Sequence, residues 1–235
     1  MHHGRLKRRV LSLALVFVFL ATFAAAVKGN YLAQGQLDLV RILAPAPAPD
    51  SATTKADLAE LLVLQKDRTP AQEEAAQADV KRSPFRFADV LGPKFDKDSL
   101  PLTEALFERV AKDASLAVGQ VKNHWNRPRP FALSDEIKPS LHKPASPSYP
   151  SGHSTYGHIA AIILAAMVPE KAEELFQRGD VFARQRLIGG VHYPSDVEAG
   201  RIAAAVIASA LFQNKAFIGD FEEARKEVRT VLGLN

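Results

Sequence analysis

The chain contains no cysteine in 235 residues, so no disulfide can brace it and its apolar core must hold it together unaided. Nowhere does an apolar/polar alternation of period two run long enough to suggest a sheet, and no internal repeat is visible. One uncharged stretch, Val10 to Val27, follows the basic head Arg5, Lys7, Arg8 and Arg9, and no second hydrophobic run of comparable length and charge-freeness occurs. A multi-span membrane protein is thereby excluded. The small residues Ala24, Ala25 and Ala26 close that stretch, which reads as a signal peptide over 1–26 with cleavage after Ala26, the alternative being a retained anchor. Net charge is also missing once the leader is set aside. Its four basic residues carry the formal +4, and residues 27–235 hold 26 charges of each sign. The basic character gives no footing for nucleic-acid binding.

What is present is helical punctuation. Residues 27–50 read as an extended arm ending in Ala44-Pro45-Ala46-Pro47-Ala48-Pro49, where alternate prolines lack N–H donors and forbid a helix. From Ser51 to the C-terminus, 51–235 reads as one domain. Ala56 to Lys66 and Pro70 to Lys81 suit helices, the second with Thr69 as cap and Pro70 in its first turn. Residues 83–98 read as an irregular loop. Leu102, Leu106, Val110, Ala114, Val118 and Val121 recur every four or three residues, which predicts an amphipathic helix over 101–125. A proline-rich loop over 131–150 precedes helices from Gly152 to Met167, Pro169 to Leu187, Pro194 to Phe212 and Asp220 to Leu232. The fold class this predicts is all-α, a compact helical bundle.

Three clusters of chemistry-bearing residues lie at the predicted helix ends. The first is Lys122 and, after six intervening residues, Arg129-Pro130. Next comes Pro150-Ser151-Gly152-His153, a tetrapeptide that arises by chance in roughly one in a thousand chains of this length. The third is Arg186, then His192 after five intervening residues, then Asp196 after three more. Lys-x6-Arg-Pro and Arg-x5-His-x3-Asp are weak signals alone; in this order the three are strong.

The residue types suit a phosphoryl group. Arg129 and Arg186 offer planar forks of donors and Lys122 a point charge. Ser151 and the Gly152 N–H stand at a helix start, where free N–H groups favour an anion, and glycine lets the backbone come close. That set is complete without a metal or other cofactor. His192 is placed to attack phosphorus, with Asp196 one helical turn on to fix its tautomer. His153 is placed to protonate the leaving oxygen and then to activate water. This division requires His192 neutral and His153 protonated in the unliganded protein.

The order of the three clusters resembles the signature of the phosphatidic acid phosphatase type 2 (PAP2) and vanadium haloperoxidase superfamily. The flanking residues Arg129-Pro130-Phe131, Ser148 to His153 and His192 to Val197 resemble the bacterial class A non-specific acid phosphatases. The resemblance implies an all-helical fold of the PAP2/haloperoxidase type, a periplasmic or secreted location, small phosphorylated substrates, a homo-oligomer, and phosphomonoester hydrolysis inhibited by vanadate. The balanced charge after the leader and the lack of a second long apolar run predict no nucleic-acid partner and no stable membrane insertion after leader cleavage. The site roles that the resemblance implies fall on Lys122, Arg129, Ser151, Gly152, His153, Arg186, His192 and Asp196. Gln185 departs from the pattern, which usually has serine before the third-cluster arginine. A lipid or pyrophosphate phosphatase, a vanadate-dependent haloperoxidase and an inactive phosphate-binding protein are the alternatives on the same residues.

The remaining histidines carry less. His158 stands five residues past His153, on another helix face, and suits a structural role. His124 and His142 have no motif around them. Arg127 suits a solvated or loop-bracing role better than phosphate contact.

Overall fold

The computed structural model describes residues 30–33 and 35–234, and the expected leader lies outside them. Ten α-helices and two short 3₁₀ turns follow one another, with no strand among the described residues. The chain opens with the single turn α1 (Leu39–Ile42), then α2 (Ala52–Asp67) and α3 (Pro70–Ala78). Thr69 caps α3 through a reciprocal capping box with Gln72, and Pro70 occupies the first turn, as the sequence predicts. Residues expected as a plain loop, 83–98, contain a 3₁₀ turn at Pro84–Phe87 and one α turn, α4 (Ala88–Leu91).

The long helix α5 spans Pro101–Trp125. Leu106, Phe107, Val110, Ala114, Val118 and Val121 form its buried face, matching the predicted periodicity. Leu102, the first residue of that series, is instead exposed, because it stands in the helix's opening turn. There the carboxylate of Glu227 accepts from the N–H groups of Leu102 and Thr103 at 3.0 and 2.9 Å, satisfying two of the orphan donors of the helix start. At the other end Asn126 adopts a left-handed conformation (φ 44°), which turns the chain sharply into Arg127-Pro128-Arg129.

After the short α6 (Pro130–Leu133) and an irregular stretch come α7 (Gly152–Met167), α8 (Ala172–Ile188), α9 (Pro194–Leu211) and α10 (Lys215–Leu232). Helix α7 is the centre of the bundle and packs chiefly on α8 and α9. Glycines allow these approaches. A Cβ on Gly179 of α8 would stand 2.9 Å from Ala161 Cβ, and one on Gly200 of α9 would stand 2.6 Å from the Ser151 carbonyl oxygen. The core around α7 includes Ile159, Ile163, Leu164, Met167, Phe182, Ala203, Ile207 and Phe217, all fully buried. No single helix among the described residues is long and apolar enough to cross a membrane.

The proline-rich arm is packed, not loose. Leu39 and Leu43 are buried, the Tyr149 hydroxyl donates to the Ala44 carbonyl at 2.6 Å, and Thr54 Oγ1 donates to the Ala48 carbonyl at 2.8 Å. Prolines without N–H donors still present carbonyls, and these two side chains take up carbonyls of the arm.

Candidate active site

Helix α8 ends at Gly189-Gly190, and the chain reverses through Gly190 at φ +69°. Gly189 lies against Leu141, where an added Cβ would come within 2.2 Å of Cδ1. The turn delivers His192 two residues before α9. Asp196, in the first turn of α9, accepts at Oδ2 from the Tyr193 N–H at 3.1 Å and from His192 Nδ1 at 3.0 Å. One carboxylate therefore caps the helix and fixes the imidazole tautomer together. With the Nδ1 proton committed to Asp196, the lone pair of His192 lies on Nε2.

Asp196 is fully buried, and three elements hold it. Ser148 Oγ donates to Oδ2 in a very short hydrogen bond, and Arg127 Nη1 donates to Oδ1 at 2.7 Å. Burial pushes the carboxyl upward, but the His192 hydrogen bond and charge, Arg127 and Ser148 outweigh it and hold it at about 2. Arg127 is itself only 4 % exposed. It reaches Ser195 Oγ at 2.7 Å, Thr54 Oγ1 at 3.0 Å and Asp57 Oδ2 at 3.2 Å, and its guanidinium lies 3.9 Å from the Tyr193 ring centre. Ser195 Oγ also donates to Asp57. Of the two roles open to Arg127, bracing is the one it has, and what it braces is the histidine's carboxylate.

In front of His192 is a cavity of about 370 Å³. Lys122, Arg129, Gly152, His153, Arg186 and His192 line it, which brings six of the eight expected residues to one wall. No Asp or Glu lines it, whereas Arg82 does, as does His142 from the irregular loop. Asp196 stands behind His192. Ser151 also lies off the wall: its Oγ accepts from the Ser154 N–H at 3.3 Å as the cap of α7, and the residue is fully buried. Its N–H donates to the Asp196 carbonyl at 2.9 Å, so this serine ties the second cluster to the third.

The cations are crowded. Arg129 donates to Ser146 O at 2.9 Å, Val191 O at 2.7 Å and His192 Nε2 at 2.9 Å. Lys122 Nζ donates to the Pro147 and Ser148 carbonyls at 2.5 and 3.1 Å. Arg186 donates to the Ala76 carbonyl of α3 at 2.7 Å, and its Nε is buried without a partner. Burial and then Arg129 bring Lys122 down to about 7, and burial lowers both Arg129 and Arg186 to about 10. Burial, Arg129 and Lys122 likewise hold His192 well below 6.5 against the pull of Asp196, so it is neutral, as expected.

His153 departs from its expected state. Burial first and Arg186 second, with Arg82 and Arg129 adding to them, bring it to about 3, so the unliganded protein carries it neutral. Its Nε2 lies 3.0 Å from the Val80 carbonyl, which can only accept, so Nε2 bears the proton and Nδ1 the lone pair. The ring is stacked 6.3 Å from Phe182.

The other residues divide cleanly. His158 binds the Ser154 carbonyl and Asp180 at 2.8 and 3.0 Å, away from the cavity. His124 packs edge-on against Trp125. Gln185 is buried with Oε1 unpartnered, one position from Arg186 but not on the cavity wall.

A family model described as the PAP2 superfamily matches residues 110–218, a span that contains all three clusters. Residues 110–218 of this chain are thus similar to that superfamily. The similar proteins are bacterial. An acid phosphatase of Zymomonas mobilis is 38 % identical over 148 residues, covering 60 % of this chain and 55 % of that protein. A non-specific acid phosphatase of Salmonella typhimurium is 33 % identical over 162 residues, with 66 % and 64 % covered. The matched stretch thus spans less than two thirds of either protein. A non-specific acid phosphatase of Providencia stuartii is 29 % identical over 234 residues, covering 90 % of this chain and 93 % of its own. Among solved structures, a bacterial vanadium-dependent chloroperoxidase superposes with a TM-score of 0.61 at 13 % identity, over 87 % of this chain and 54 % of that one. The all-α architecture is the PAP2 fold.

Proposed function

We propose that this chain is an exported acid phosphatase that hydrolyses a broad range of phosphomonoesters through a phosphohistidine at His192, without a metal. The observation that carries the reading is the buried His192–Asp196 pair at 3.0 Å, opening on a cavity walled by three arginines, a lysine and two further histidines, with no carboxylate.

The phosphate of the ester enters this cationic cavity and takes donors from Arg129, Arg186 and Lys122, whose forks and point charge match its equatorial oxygens. Arg129 then releases its hold on His192 Nε2, freeing the lone pair. Nε2 attacks phosphorus, the N–P bond forms, and the bond to the leaving oxygen breaks. The imidazolium so formed is stabilised by Asp196, which is already ionised. The phosphate's negative charge opposes the repulsion that Arg186, Arg82 and Arg129 exert on His153, raising its proton affinity when substrate is bound. His153 takes up a solvent proton at Nδ1 as the substrate binds and gives that proton to the departing alkoxide. Neutral again, the same nitrogen takes a proton from water as the oxygen attacks phosphorus, and the N–P bond breaks to release phosphate.

Hydrolysis of p-nitrophenyl phosphate by the 27–235 chain in EDTA, from about pH 4 to 9, tests this. Turnover peaks on the acid side, falls with vanadate and is abolished in His192→Ala. Wild-type protein that stays inactive across the range, or His192→Ala that stays active, refutes the reading.

A further inference from the structure

A second depression, of about 810 Å³, adjoins the cavity, and Arg82 lines both. Helix α5 is a common wall. Ser115, Gly119 and Lys122 face the cavity, Lys112 and Glu108 face the groove, and Lys112, Ser115, Gly119 and Lys122 succeed one another at spacings of three and four. Lys112 and Lys122 are separated by about 15 Å along the helix axis.

The charges in this groove are unevenly committed. At its outer end Glu104 is paired with Lys97 at 2.6 Å, with Glu108 beside them, and Arg86 is paired with Asp79 at 2.9 Å. At the end meeting the cavity, Arg82 Nη1 donates to Ser115 Oγ at 3.1 Å, which sets it beside Lys112 one turn earlier on α5. Lys81 and Lys112 are exposed, and neither has a carboxylate partner among the described residues. Tyr156 also lines the groove, three residues after His153 on α7, and its ring shares Phe182 with the His153 ring at 6.1 and 6.3 Å. The groove therefore starts on the His153 side of the cavity, the side of the general acid in the proposed mechanism.

We propose that Lys81, Arg82 and Lys112 bind a second phosphate, so that the groove selects phosphomonoesters whose leaving group is itself phosphorylated at its far end. This rests on the phosphatase reading of the cavity. His192 displaces the leaving oxygen from the phosphorus held in the cavity, water then frees that phosphate from the histidine, and the other product is an alcohol that keeps its second phosphate. The spacing along α5 suits a linker of several carbons, as in a sugar or alkanediol bisphosphate.

The test compares a hexanediol bisphosphate with hexyl phosphate in the wild-type protein and in Lys81→Ala/Lys112→Ala. The expected result is a kcat/KM about tenfold higher for the bisphosphate, beyond the statistical advantage of two equivalent ends, expressed mostly in KM. That preference collapses in the double variant and at about 0.3 M ionic strength, while p-nitrophenyl phosphate turnover is unchanged in the double variant. Equal kcat/KM for the two esters in wild type, or a preference that survives in the double variant, overturns the proposal. Calorimetric binding to His192→Ala reads the groove without turnover. There too the bisphosphate binds about tenfold more tightly only while both lysines are present, and equal binding of the two esters overturns the groove assignment whether or not the cavity is a phosphatase.

Discussion

Arg127→Met removes the one cation that two buried carboxylates share. Asp57 is 6 % and Asp196 0 % exposed, and Arg127 reaches them at 3.2 and 2.7 Å. Breaking a buried ion pair from one side leaves an uncompensated charge and costs about 3–5 kcal/mol. The cost is not doubled here, because Asp57 keeps the Ser195 hydroxyl and Asp196 keeps Ser148, His192 and the Tyr193 N–H. The assay is urea unfolding at neutral and acid pH. Asp196 sits at about 2 in the folded chain, below the ordinary carboxylate value, so its contribution is present above about 3.9 and lost as pH falls through about 2. Without Arg127 the folded carboxyl rises and that contribution shrinks. The gap between wild type and variant is therefore widest at neutral pH and narrows below about pH 4. Adding Asp57→Asn recovers part of the loss by removing one of the stranded charges. A gap under about 1 kcal/mol at pH 7, or one that does not change with pH, refutes the argument. Activity supplies a second reading, since a mis-set Asp196 lowers kcat more than it changes KM.

Two further outcomes rest on the same geometry. Lys122 loses its proton near pH 7, so KM for p-nitrophenyl phosphate rises as pH climbs through that value; Lys122→Arg keeps its charge, and a KM-against-pH profile shows the rise flattened. Gly200→Ala puts a methyl 2.6 Å from the Ser151 carbonyl oxygen and 2.8 Å from Ser154 Cβ, where both neighbours are packed. It destabilises by about 1–3 kcal/mol in urea melts, despite alanine's better helix propensity.

Much of the scaffold was legible because it is locally encoded. Pro101, the left-handed Asn126 and the three–four spacing between them mark out α5, and Ser151 marks the start of α7. Helix α10 begins at Lys215, earlier than Asp220, because Asn214 caps it through Ala216 and Phe217 N–H and Gly219 sits in open space at little cost. The capping asparagine was the signal to read. Helix α2 likewise starts at Ala52, under Ser51, before the apolar spacing begins. The residues behind the site were not legible for a different reason. Arg127, Ser148, Asp57 and Thr54 meet Asp196 or one another across 48 to 73 positions of sequence, and no spacing rule spans such distances. The neutral state of His153 was equally out of reach, since it depends first on burial and then on the approach of Arg186 from another helix, with Arg82, which belongs to none of the three clusters, adding to them.

The bracing of Asp196 by Arg127 and of Arg127 by Asp57 has a kinetic side. The carboxylate that orients His192 is held from α2, from the turn after α5 and from the start of α9, so its partners are synthesised far apart in time. A growing chain that has not yet reached Asp196 has already produced Asp57 and Arg127, and these can pair early. The tautomer of His192 is fixed only once Asp196, the last of these residues in the chain, is in place beside it. A chain cut short of Asp196 lacks the carboxylate that His192 Nδ1 meets at 3.0 Å, so the pair cannot form in it.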